Sequence, residues 1–144
     1  MSSFSIGGNS RERIEVQVVG YERNPVGEYF DDNWLRVRVS VVAGAFSGKF
    51  DAAFLTEELV SFHKQLSELY RSLNGVAKFS TLEEQLSLLL HGNGRGEVLL
   101  KGTATDIPGT GNSLVFELTL DQTHLQKTLA ELSLVTESFP VRAG

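Results

Sequence analysis

Apolar and polar residues alternate along most of this chain, and the period lengthens to that of a helix in only two places. Phe4 and Ile6 alternate with serines ahead of Gly7-Gly8-Asn9-Ser10, a turn-forming cluster. Ile14, Val16 and Val18 then alternate with Glu15 and Gln17, the signature of a half-buried strand. From Tyr21 to Asn33 the alternation stops; Pro25 and Gly27 fall here, and the segment reads as a long loop. In the next strand Leu35, Val37, Val39 and Val41 point one way, and Trp34, Arg36, Arg38 and Ser40 the other. Ala43-Gly44 turns it back through Phe46, Gly48, Phe50, Ala52 and Phe54, giving a hairpin of two long strands.

The first change of period follows. Leu59, Phe62, Leu66, Leu69 and Leu73 are spaced by 3, 4, 3 and 4 residues, the apolar stripe of a helix over about 56–74. Thr56 is its expected N-cap, Glu57 and Glu58 suit the positive end of the helix dipole, and Asn74-Gly75 is a natural stop. Val76 to Phe79 reads as a short edge strand. Leu86, Leu88 and Leu90 form another, Gly92 to Gly96 a turn, and Val98, Leu100, Gly102 and Ala104 the return. Pro108 to Asn112 turns the chain again into Leu114, Phe116, Leu118 and Leu120. A second helix over about 122–137 carries Leu125, Leu129, Leu132 and Val135, with Asp121 or Thr123 as its cap and Pro140 beyond its end.

This order predicts an α+β domain: a meandering, mainly antiparallel sheet of about six or seven strands with two helices packed on it. No strand–helix–strand rhythm recurs, which argues against a doubly wound parallel fold. Trp34–Tyr70 and Glu97–Val135 share one form, two strands followed by a capped helix. Within it Gln65-Leu66-Ser67-Glu68-Leu69 matches Thr128-Leu129-Ala130-Glu131-Leu132 in pattern. An internal duplication and a convergence of two hairpin-plus-helix units both fit.

Composition narrows the function classes. The 144 residues, 41% hydrophobic and 22% charged, suit a single domain over 1–144. No apolar run approaches the roughly 20 residues of a membrane span, and the N-terminus lacks a signal-peptide pattern. Without cysteine there is no disulfide, thiolate ligand or cysteine nucleophile. Thirteen basic against 18 acidic residues give −5, which disfavours generic binding to nucleic acid or anionic membranes.

Catalytic and cofactor chemistry finds no foothold. His63, His91 and His124 lie far apart with no metal-ligand spacing, so neither metal nor cofactor is expected. Gly92–Gly96 sits between strands rather than before a helix, as a phosphate cradle would require. No GxSxG elbow occurs. Glu57-Glu58 belongs to a helix start and Glu83-Glu84 to a solvated turn. The expectation is a non-enzymatic binding protein.

The exception to this blandness is Tyr21–Trp34. It holds four acids against one base, a local −3, together with two of the three tyrosines, one phenylalanine and the only tryptophan. Aromatic anchors beside charge suit recognition of a protein, and an acidic patch draws in a basic partner. The candidate partner-binding residues are Glu22, Glu28, Tyr29, Phe30, Asp31, Asp32 and Trp34. A compatible reading has the aromatics cover the end of the core while the acids face water. Arg36 and Arg38, opposite the valines, would extend the surface if that sheet face is uncovered. A second function class, a small-molecule or enzymatic pocket between sheet and helix, would use Phe46, Phe50, Phe54, Phe116 and Phe139. Phenylalanines at period two are more simply core. A homodimer through a sheet edge or helix face is the third.

The same segment carries a family likeness. Gly20-Tyr21-Glu22-Arg23, then Tyr29-Phe30-Asp31-Asp32-Asn33-Trp34-Leu35 and a valine-alternating strand, resembles the WapI-type immunity proteins and related bacterial proteins. Their pattern is a glycine-tyrosine strand end, a proline-bearing loop and Tyr-Trp-Asp-x-Asn-Trp-Leu; Phe30 stands here in place of tryptophan, and Asp32 at the variable position. Phe54-Leu55-Thr56-Glu57-Glu58-Leu59 is similar to the family's strand-to-helix junction. The likeness covers the first half of the chain, and the second half follows in element order. It implies a cytoplasmic protein that binds the toxic C-terminal domain of a polymorphic toxin and blocks it in the producing cell and its kin. Many such toxin domains are basic nucleases, a surface for which an acidic inhibitor can compete. No contact residues follow from the likeness.

Overall fold

In the computed structural model, which describes residues 2–143, each alternating run is a strand. β1 (Ser2–Asn9), β2 (Glu12–Tyr21), β3 (Trp34–Ala43) and β4 (Phe46–Leu55) form one antiparallel sheet in chain order. A one-turn helix, α1 (Tyr29–Asp32), interrupts the segment between β2 and β3. After α2 (Thr56–Ser72) come β5 (Asn74–Phe79), β6 (Leu86–Asn93), β7 (Glu97–Thr105) and β8 (Ser113–Asp121), a second antiparallel meander, and then α3 (Gln122–Ser138). The α+β class, the antiparallel meander and the two long helices are those predicted. The strands number eight among the described residues and divide into two sheets of four. Alternation identifies each strand and each tight turn, but carries no signal for pairing across a helix, and α2 separates β4 from β5.

The element order therefore repeats: four strands and a helix, twice. Each helix covers the first strand of the other half, α2 lying against β5 and α3 against β1, while the two helices touch each other. On β1, the Ser5 amide donates to Glu131 Oε1 at 2.9 Å, and the Thr128 hydroxyl donates to the Ser5 carbonyl at 2.6 Å. On β5, the Lys78 amide donates to Gln65 Oε1 at 2.9 Å. Gln65 and Thr128 are the residues matched in the two helical sequences. These bonds satisfy edge groups that would otherwise be open to pairing with another chain.

The inner faces of both sheets and the helix stripes form one cluster. Val16, Val18, Val37 and Val39 meet Leu90, Leu100 and Leu118 in it, with Phe62, Leu66, Leu125 and Leu132 from the helices. Each such side chain contributes roughly 1.5–3 kcal/mol by leaving water. Gly102 pairs with Phe116, and a Cβ on the glycine would lie 2.4 Å from the phenylalanine ring. The absent side chain is what lets the ring lie flat against β7.

Helix starts differ in how they are capped. Leu55, not Thr56, is the N-cap of α2, and its amide donates to Glu58 Oε1 at 2.7 Å. Thr56 turns its hydroxyl elsewhere. Asp121 caps α3, accepting from the His124 amide at 3.0 Å.

Candidate functional site

Residues 21–33 are held by three sets of bonds, each closing a different distance in sequence. The first extends the ladder: the Glu22 amide donates to the Trp34 carbonyl at 3.0 Å. The second is local. The Asp32 carboxylate reaches back to accept from the Val26 amide at 2.9 Å and the Gly27 amide at 2.8 Å, with Arg23 Nε 3.9 Å away. Gly27 has φ +90°, which a residue with a Cβ rarely adopts. Asp32 is 1% exposed. The Val26 amide above all, helped by the backbone amides of Gly27 and Glu28 and by the Arg23 charge, holds its pKa below the ordinary aspartate range despite burial.

The third set joins distant parts of the chain through Asn33. Its Nδ2 donates to the carbonyls of Tyr29 at 2.7 Å and Arg142 at 2.9 Å. Its Oδ1 accepts from the Thr56 hydroxyl at 2.7 Å and the Arg142 amide at 2.8 Å. Both amide hydrogens and both lone pairs are thus used in a buried site. The C-terminal tail adds more. Tyr21 donates its hydroxyl to the Pro140 carbonyl at 2.5 Å, and Phe139 stacks edge-on at 5.5 Å. The Arg142 guanidinium lies 3.4 Å over the Tyr21 ring and donates to the Arg23 carbonyl at 3.0 Å. Burial raises the Tyr21 pKa, with Arg142 opposing.

The seven candidate residues sort by what they touch. Asp32 is committed to the loop itself. Tyr29 is half-buried and bonds Glu57, which raises its pKa. Trp34, also half-buried, begins β3. Glu22, Glu28, Phe30 and Asp31 face solvent, Phe30 being 61% exposed and edge-on to Tyr29 at 5.7 Å. Asp31 pairs with Arg23 at 3.3 Å, whereas Glu22 and Glu28 have no ion pair among the described residues. The loop thus presents an exposed aromatic between acids on a pinned base. Asn33 lies within the segment that the sequence marks, but neither its bonds nor the part played by Arg142 is legible there. Asn33 borders the acidic run without signalling its bonds, and Arg142 lies 109 residues away.

The outer face of the first sheet is uncovered, as the placement of Arg36 and Arg38 requires. A cleft of about 360 Å³ runs from Glu22 along it past Arg36, Arg38 and Asp51 to Gln85. Arg38 pairs with Asp51 at 3.3 Å; Arg36 has no ion pair among the described residues.

The pocket phenylalanines scatter. Phe54 and Phe116 are core, Phe50 and Phe139 pack partly buried against it, and Phe46 is 68% exposed. Among the described residues no three of His, Asp or Glu gather as metal ligands, and no helix is long and apolar enough to cross a membrane.

A family model described as "Immunity protein WapI-like family" matches residues 5–140. No curated protein matches the sequence. Among solved structures, a chain of the "CdiA-CT/CdiI toxin and immunity complex from Enterobacter cloacae" superposes with a TM-score of 0.46 at 11% identity, over 83% of this chain and 97% of that one.

Proposed function

The chain belongs to the WapI-like immunity protein family, and on that premise we propose that it binds the toxic domain of a cognate bacterial toxin and occludes its active surface, without catalysis of its own. The observation that carries the site is the division of labour within residues 21–34. Asp32 and Asn33 are buried and hold the backbone, while Glu22, Glu28, Phe30 and Asp31 point to solvent. A loop already ordered in the free protein loses little conformational freedom on binding. Exposed acids attract a basic surface and speed encounter, and an exposed aromatic supplies an anchor that leaves water on contact. Tyr29 and Trp34, both half-buried, border this surface, and Arg36 continues it onto the open sheet.

Residues 1–144 act in this reading as one domain, supported by the single core cluster that draws on both sheets. The site of action is the cytoplasm of the producing cell, where newly made toxin has to be kept inactive.

Co-expression with the toxin domain encoded beside this gene tests the reading. Rescue of growth and a complex that co-elutes on size exclusion are expected. Growth arrest with no complex would refute it.

A further inference from the structure

We propose that the free edge of β4, from Ser47 to Lys49, pairs with an extended segment of the toxin, one apolar side chain of which enters the adjoining cleft. This rests on the reading of the chain as a toxin-binding protein.

The sheets have four outer edges. α3 takes the outward backbone groups of Ser5 in the middle of β1, and α2 the outward amide of Lys78 near the end of β5, through the bonds of Glu131, Thr128 and Gln65. β8 comes near β1, β3 and α3 at a few positions and lies across a cleft from β4. On β4, Gln85 Nε2 donates to the Asp51 carbonyl at 3.2 Å, so Asp51 turns its backbone groups away from β3. In an antiparallel ladder this orientation alternates by residue. Ser47 and Lys49 therefore also turn their N–H and C=O outward. They lie beyond the Gln85 bond, towards the hairpin tip where Ala43 pairs with Phe46, and no group among the described residues bonds them there.

The chemistry beside this edge selects the occupant. On the inner side of β4 a cleft of about 200 Å³ opens between Val41, Phe46, Phe50, Ala104 and Leu114. A strand added to β4 sends alternate side chains to that side, so one apolar residue enters the cleft beneath Phe46. Its other residues face the side of Lys49, an exposed cation with no ion pair among the described residues, which suits an acidic neighbour. A second copy fits less well. Two-fold pairing about Gly48 would set Lys49 diagonally from its own copy, roughly 7–8 Å away on the same face. This edge lies at the opposite end of β3 and β4 from Trp34 and the acidic loop, so the two surfaces can be altered separately.

The test uses the full chain and the toxin domain encoded beside its gene. Lys49→Pro deletes the outward N–H without touching the ladder to β3, since proline is tolerated on an edge with its nitrogen facing solvent. Lys49→Glu keeps the backbone and reverses the charge, so one variant remains informative if the other misfolds. Expected are slowed hydrogen exchange of the Ser47 and Lys49 amides on binding, affinity about tenfold weaker in Lys49→Pro, and about threefold weaker in Lys49→Glu. A wild-type complex with unchanged exchange in β4 and full affinity in both variants overturns the edge proposal and leaves the immunity reading standing. No wild-type complex overturns both. Protection of these amides in the chain alone, growing with its concentration, assigns the edge to a second copy and also overturns the proposal.

Discussion

Thr56 is joined to Asn33 twice: its hydroxyl donates to Asn33 Oδ1 at 2.7 Å, and its amide donates to the Asn33 carbonyl at 3.0 Å. The first turn of α2 is thereby fixed to the end of the acidic segment. The threonine that the sequence offers as a helix cap is instead a clasp between two elements.

Asn33→Ala removes four side-chain bonds and leaves the Thr56 hydroxyl buried without its acceptor. Destabilisation of about 2–4 kcal/mol is expected in urea unfolding. Amide exchange in residues 22–32 should quicken more than in β7.

Asp32 gives the acid limb of stability. Its folded pKa lies below the unfolded aspartate value of about 3.9, chiefly through the Val26 amide. Its contribution is therefore present above that value and is lost as pH falls through the folded pKa. Asp32→Asn should unfold at lower urea than wild type at pH 7, and the gap should close on acidification. A constant gap would remove the carboxylate from this role.

Glu58 should slope the other way. Burial raises its pKa, with Glu83 adding to this, and the amides of Leu55 and Leu82 only partly oppose. The folded carboxyl holds its proton more tightly than the unfolded one, so its contribution is full below the unfolded value of about 4.3 and is lost as pH rises through the folded pKa. The stability of wild type relative to Glu58→Gln should fall over that interval in paired urea titrations.

Asp31→Lys tests steering without disturbing the fold. The Asp31–Arg23 pair is exposed on both sides, so stability should change by less than about 1 kcal/mol. The association rate with the toxin domain should drop about tenfold at low salt and converge on wild type as salt rises. An unchanged rate across the salt series would exclude electrostatic steering through this residue.

Gly102→Ala places a methyl against the Phe116 ring. About 1–3 kcal/mol of stability should be lost, and Gly102→Ala combined with Phe116→Leu should lose less than the two changes added.

Residue spacing by itself determined the strands, the two long helices and the α+β class, because burial on one face writes a period into the chain. It also located the acidic aromatic segment, and the likeness of Tyr29–Leu35 to WapI-type proteins agrees with the family match. Tertiary structure decided the rest. Two sheets formed where one was expected, because the pairing of β5 depends on where α2 packs. Asp32 became a buried clasp while Asp31 beside it stayed in water, a distinction that adjacent identical residues cannot encode. Arg142 reached Tyr21 and Asn33 across more than a hundred residues, and no local pattern announces a bond made by a tail folding back. Which edge remains open, and which acids remain free to meet a partner, are properties of surfaces assembled from distant segments.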